Sequence, residues 1–195
     1  MLSLGRTHTA LLAMDCQAGL VSQYVKPADD FLGRASKVLV AGRSAGVPVI
    51  HVRVGFRPGL PEIGERNKLF TAVKASPQYQ KLFDGAAGDV HPKLGPEPGD
   101  IVVTKHRVSA FTGTDLEMIL RAKEIRTLVM FGIATSGVVL STLLEASDAD
   151  YDPIVIADCC ADMNAELHNA LITHLFPRRA TVVSADEACA ALMTR

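Results

Sequence analysis

Two charged residues in this chain stand where an apolar run stops. Asp15 closes Thr9-Ala-Leu-Leu-Ala-Met14, and Lys105 closes Asp100-Ile-Val-Val-Thr104. A third run, Leu128 to Phe131, stops at Gly132 and leads through Ile133-Ala134-Thr135-Ser136-Gly137 into apolar residues at Val139, Leu140, Leu143 and Leu144, which recur with helical spacing. A carboxylate and an ammonium at one sheet edge, both facing a strand-to-helix turn, can transfer protons. The lysine holds the aspartate ionised or shares a proton with it, and free N–H groups of the turn stabilise a developing oxyanion. Taken singly, a strand-end Asp also reads as a helix cap and a strand-end Lys as a solvated terminus. Such a turn commonly seats a nucleophile. Here it offers Ser136, Gly137, Val138 and Val139, and no cysteine.

The elements that must position these residues alternate along the chain. Strands are expected at Thr9–Met14, Val47–Val54, Asp100–Thr104, Leu128–Phe131, Pro153–Ala157 (ending at Asp158) and Ala180–Val183. Helices are expected at 31–45, stopped by Gly46, from Thr114 or Asp115 to Lys123, from the turn onward, at 164–176, and over the terminal 189–194. Phe70 to Phe83 reads as helical with an interruption at Pro77, and Thr135 and Ser136 are candidate N-caps of the central helix. Gly55 to Lys68 is a long loop or lid. Short, apolar, β-branched strands alternating with helices predict an α/β fold: one domain over 1–195, doubly wound, with a mostly parallel sheet of about six strands and helices on both faces. Ligands then bind beyond the carboxyl ends of the strands. The strands before Asp15 and Lys105 are expected to be central and adjacent, so that the two side chains meet.

Composition narrows the function further. Hydrophobic residues make up 48% and charged residues 21%, which is too apolar for disorder. A net charge of −1 supplies no basic field for nucleic acid. No run approaches the ~20 apolar residues of a membrane span, and the N-terminus meets Asp15 too early for a signal peptide. A cytoplasmic protein is expected, with Cys16, Cys159, Cys160 and Cys189 acting as small buried hydrophobes in a reducing compartment.

With these placements, the chain resembles the isochorismatase-like hydrolase superfamily, which contains nicotinamidases, N-carbamoyl amidohydrolases and isochorismatases. The resemblance rests on LLAMDCQAGLV (Leu11 to Val21), on TKHRVSAF (Thr104 to Phe111) with GTDLEMILR after it, and on LVMFGIATSGVVLSTL (Leu128 to Leu143). It runs over nearly the whole chain. It implies a trio of Asp after the first strand, Lys after the third and Cys in the turn after the fourth. The first two fall on Asp15 and Lys105. The family turn G-x-x-T-x-x-C, counted from Gly132 and Thr135, puts Val138 where the cysteine belongs, so the thiol is missing. The backbone oxyanion donors, at Ala134 and Val138, survive that change, and a cis peptide is implied between Ile133 and Ala134. Gln17 is implied to hold a backbone group or substrate near Asp15. Ser109 and Phe111 are implied to line the pocket with Thr135 and Ser136 of the turn, although Phe111 reads equally well as core.

Other polar residues are less telling. Ser136 stands two residues early to replace the nucleophile, and Cys16 faces away from Asp15 if the strand simply alternates. Nicotinamidases of this superfamily hold a divalent ion through one Asp and two His on the loop after the second strand. Here that loop contains neither, so no metal and no cofactor are expected. His51 reads as a core histidine, and His106 reads either as a residue at the pocket mouth or as a solvated one. Arg53 and Arg66-Asn67 would suit a substrate carboxylate or simply face solvent. The resemblance implies a hydrolase acting on a small organic substrate (an enol ether, an amide or a related acid) through Asp15 and Lys105. A homo-oligomer, dimer or tetramer, is also implied. Isochorismatases set the precedent: they cleave a vinyl ether without a thiol, the Asp protonating the enol carbon before water adds. A small-molecule-binding relic of the fold and a structural partner of an active relative remain as alternatives.

Overall fold

The computed structural model describes residues 4–194. Residues 1–3 and 195, the extreme ends of the expected domain and the start of the N-terminal segment read above, lie outside the described residues. The strands are β1 (Thr9–Met14), β2 (Val49–Val54), β3 (Ile101–Lys105), β4 (Thr127–Ile133), β5 (Asp152–Ala161) and β6 (Thr181–Val183). The helices between and after them are α1 (Ala18–Tyr24), α2 (Ala28–Ser44), α3 (Lys68–Ala75), α4 (Pro77–Gln80), α5 (Gly85–Gly88), α6 (Leu116–Ala122), α7 (Leu140–Asp148), α8 (Ala165–Ala170) and α9 (Ala185–Met193).

The strands form one sheet in the order β3-β2-β1-β4-β5-β6, and every pairing is parallel. β1 is buried along its whole length, because β2 and β4 flank it and helices cover the sheet. Each buried leucine there contributes roughly 2 kcal/mol of apolar burial. Strand order runs outward in both directions from β1 and β4. The connections leaving these two strands therefore diverge and open a crevice at their carboxyl ends. Met14 pairs with Gly132 at the top of that junction, so Asp15 follows directly beside the turn after β4.

Gly132 is required at this point. Its φ is +156°, and a Cβ built there would lie inside van der Waals contact of the Met14 carbonyl oxygen. Only a residue without a side chain lets β1 and β4 close immediately below Asp15.

Several expectations need correction. β1 and β3 are not adjacent: β2 lies between them and β3 is an edge strand. Two interstrand spacings of ~4.8 Å therefore separate the backbones that carry Asp15 and Lys105, a gap that a long lysine side chain can cross. β5 does not end at Asp158 but continues to Ala161, with an irregularity in its pairing between Met130 and Gly132 of β4. The helix expected over 164–176 is α-helical only in α8. It widens to a π-turn over Leu171–Leu175 and finishes as a 3-10 turn containing Pro177, whose ring and missing N–H cannot continue an α-helix. At Pro77 the break is complete. Ser76 ends α3, and its side chain accepts from the Tyr79 amide, so Pro77 is free to start α4.

His51 is a core residue, as expected. Its Nε2 meets Asp100 Oδ2 at 3.2 Å, and Arg43 donates to the same oxygen at 2.6 Å. This network sits at the start of β3, away from the crevice, and ties it to α2 and β2.

Candidate active site

Asp15 and Lys105 meet at the crevice, with Lys105 Nζ 2.8 Å from Asp15 Oδ2 and both side chains buried. The ammonium also donates to the Arg107 carbonyl at 3.0 Å. Asp15 adopts a left-handed backbone conformation, φ +54°, which Asp tolerates better than most residues. The chain thus turns at the strand end, and Asp15 lines the cavity while Cys16 does not. Burial pushes the Asp15 carboxyl above the usual carboxylate range, with the Lys105 charge and hydrogen bond and the Val54 backbone pulling against it. Asp15 Oδ1 is buried and has no hydrogen-bond partner among the described residues.

The turn after β4 completes one wall. The Ile133–Ala134 peptide is cis, and Thr135–Val139 form a π-turn in which Gly137 is non-helical (φ −100°, ψ −106°) before α7 begins. Thr135 and Ser136 do not cap α7 with their side chains as expected. A carboxylate from another strand takes over: Asp162, immediately after β5, accepts from the Ser136 amide at 2.8 Å and the Ser136 hydroxyl at 2.7 Å. Burial pushes the Asp162 carboxyl up, but the hydrogen bonds from Ser136 and from the Asn164 and Met163 amides outweigh it and hold the group below its usual range. Asp162 therefore pins the turn and lines the cavity as an anion.

Sequence reading missed this residue. The signal was available, since a polar group at a strand's carboxyl end was the criterion that found Asp15 and Lys105. It was masked because β5 runs on past Asp158, the polar residue that ends its apolar run.

Asp15, Lys105, Ala134, Ser136, Val138 and Asp162 share one cavity of about 700 Å³. Val138 lies on its wall where a cysteine was looked for. Gln17, Ser109, Phe111 and Thr135 do not line this cavity, which leaves Gln17 its backbone-holding alternative and Phe111 its core one. Gln17 is fully buried, and its amide makes three backbone hydrogen bonds, to the Val54 carbonyl, the Gly88 carbonyl and the Val54 amide. It braces the end of β2, the strand that Lys105 must cross. Ser109 donates to Glu145, Phe111 stacks obliquely on Tyr151 with centroids 5.8 Å apart, and the buried Thr135 hydroxyl pairs with His168 at 2.8 Å. His106 bonds the Gly55 carbonyl through Nδ1 and Arg53 pairs with Asp89, both outside the cavity. Arg66 is exposed, and Asn67 caps α3.

Among the described residues, no group of three or more His, Cys, Asp or Glu is arranged to hold a metal ion. No helix among the described residues is long and apolar enough to cross a membrane. Cys16, Cys159 and Cys160 are buried, and burial is the main force pushing their thiols up, to about 12 for Cys160 and further for the other two. None of the cysteines lines the cavity. Replacing Cys16, Cys159 or Cys160 by alanine is expected to lower the melting temperature and leave turnover near wild type. Treating the folded protein with a thiol reagent is likewise expected to spare turnover. Loss of turnover in a folded Cys16→Ala variant would make that thiol a participant.

Residues 9–187 match the family model described as the isochorismatase domain. An uncharacterized isochorismatase family protein of Escherichia coli O157:H7, YecD, is 36% identical over 194 residues, spanning 98% of this chain and all of that one. The ureidoacrylate amidohydrolase RutB of Pseudomonas syringae pv. syringae is 30% identical over 93% of this chain and 82% of its own. Among solved structures, an isochorismatase family protein of Burkholderia thailandensis superposes with a TM-score of 0.86 at 32% identity, covering 98% of both chains. With its parallel sheet and the crevice beside β1 and β4, this chain belongs to the isochorismatase family of hydrolases.

Proposed function

We propose that this hydrolase cleaves an enol ether, with Asp15 as general acid and Lys105 as the cation that stabilises the carboxylate left when the proton departs. The observation that carries the reading is Asp15 itself: a buried carboxyl, raised by burial, lining the cavity with one oxygen on Lys105 and the other unpartnered. None of the four cysteines lines the cavity, which leaves the reading without a thiol at the substrate. The cavity's charged groups are two carboxyls and one ammonium, which suits a reaction whose transition state gains positive charge.

In this mechanism Asp15 gives its proton to the alkene carbon. The C=C electrons form the new C–H bond, and the positive charge is shared between the ether oxygen and its carbon. Water adds to that carbon while Asp15 takes one of its protons, which restores the acid. The resulting hemiketal or hemiacetal collapses: its hydroxyl proton is lost, the ether oxygen is protonated and leaves as an alcohol, and a carbonyl remains. Backbone N–H groups of Ala134 and Val138 hold the oxygen of that forming carbonyl.

Phenyl vinyl ether tests the reading, since it should yield phenol and acetaldehyde. In D₂O one deuterium should appear in the acetaldehyde methyl group, and in ¹⁸O-labelled water the label should enter acetaldehyde and not phenol. Label in phenol, or a methyl group without deuterium, would exclude protonation at carbon. No turnover above the solvent rate would favour a binding relic.

A further inference from the structure

The charges lining the cavity are few, and each already has a partner. Lys105 is the one cation among the described lining residues, and its ammonium is engaged by Asp15 and by the Arg107 carbonyl. Asp162 brings a second carboxylate. Of the arginines in the surrounding loops, Arg53 is held by Asp89, Arg57 by Glu62, and Arg107 by the His106 and Glu62 carbonyls, while Arg66 is exposed. None of them lines the cavity.

The remaining wall is largely hydrocarbon. α3, α4 and the segment after them contribute Leu69, Phe70, Val73, Tyr79 and Phe83. Phe56 packs edge-on against both Phe70 and Phe83, with centroids 5.6 Å apart in each pair, and so fixes two of these rings. A substrate carboxylate entering here gives up its water, meets no free cation and faces Asp162. An apolar or aromatic body gains by leaving water against this wall.

We propose that the site takes an uncharged substrate with an aromatic or aliphatic body and discriminates against carboxylates. The proposal rests on the enol-ether reading for which bond is cleaved, and on the wall and its charges for which molecules enter. A substrate carboxylate held by Arg53 or Arg66, the expectation raised by sequence, has no counterpart in the cavity.

Binding of a matched, uncleavable pair separates selectivity from chemistry. Ethyl phenyl ether and 4-ethoxybenzoate differ by one carboxylate, and neither has the alkene that Asp15 would protonate. By titration calorimetry on the full-length protein, ethyl phenyl ether is expected to bind roughly tenfold or more tightly than 4-ethoxybenzoate. Leu69→Lys, at a position 57% exposed and therefore tolerant, adds an ammonium to the wall. It is expected to narrow or reverse that preference. Equal or tighter binding of 4-ethoxybenzoate to the wild type overturns the proposal, as does failure of ethyl phenyl ether to bind. Selective binding of the neutral ether without phenol release from phenyl vinyl ether upholds it, and the enol-ether chemistry alone then fails.

Discussion

Asp15→Asn is expected to lower kcat/KM on phenyl vinyl ether by roughly 10²–10⁴-fold, the usual contribution of a positioned general acid. Asparagine keeps the shape and one oxygen but has no acidic proton to give. Binding of ethyl phenyl ether should change little, because that ligand draws on the apolar wall. Thermal stability should fall, since the buried Lys105 ammonium loses the carboxylate it pairs with at 2.8 Å. A variant that folds, binds and still turns over at the wild-type rate would remove Asp15 from the chemistry. In the proposed mechanism the protonated acid of the wild type is the working form, so activity should fall as pH rises through the Asp15 pKa, which lies above the usual carboxylate range.

Lys105→Met is expected to reduce turnover by roughly 10²-fold or more, because a preorganised group that stabilises developing charge typically contributes about 2.7–4 kcal/mol. In the proposed mechanism the lysine matters most after the proton has left, when its ammonium, 2.8 Å away, faces a full carboxylate. Without it, only the Val54 backbone is left to oppose burial, and the Asp15 pKa rises further. The basic limb of the pH–rate profile should therefore move to higher pH even as the maximum rate drops. Stability carries the same sign: an acid whose folded pKa exceeds its unfolded pKa favours the folded state below the unfolded value, and that contribution is lost as pH rises through the folded value. The melting temperature of the variant should therefore fall relative to wild type as pH increases from about 4 toward neutrality. A rate and pH profile unchanged from wild type would show that the ion pair is structural only.

What could be read from the sequence follows from whether the cause is local. Asp15 and Lys105 each end an apolar run, so their place at the carboxyl edge of a parallel sheet could be read from neighbouring residues. Strand order could not, because β2 inserts between β1 and β3 through tertiary pairing. Gln17, Ser109 and Thr135 are tied to the pocket by the family resemblance, Gln17 as holding either backbone or substrate. Their actual partners, Gly88, Glu145 and His168, are remote in sequence. Asp162 was hidden for a related reason. The pairing irregularity between β4 and β5 carries the strand past Asp158 and through two cysteines, so the polar residue that marks its end comes later than periodicity suggests.

The placement of β1 also shapes how the molecule is made. Of the six strands it is the first to be synthesised, but its full burial depends on β4, which emerges only after β2, β3 and the helices between them. Until then the nascent chain can build β3-β2-β1 and bring Asp15 to Lys105, leaving one open edge along Thr9–Met14. An unpaired, apolar, parallel edge of this kind invites association with other chains. The turn that forms the second wall, and the Asp162 that anchors it, belong wholly to the later half. Synthesis thus emits the Asp15–Lys105 pair before the wall that faces it, and the same closure of β4 against β1 both ends the exposure and completes the cavity.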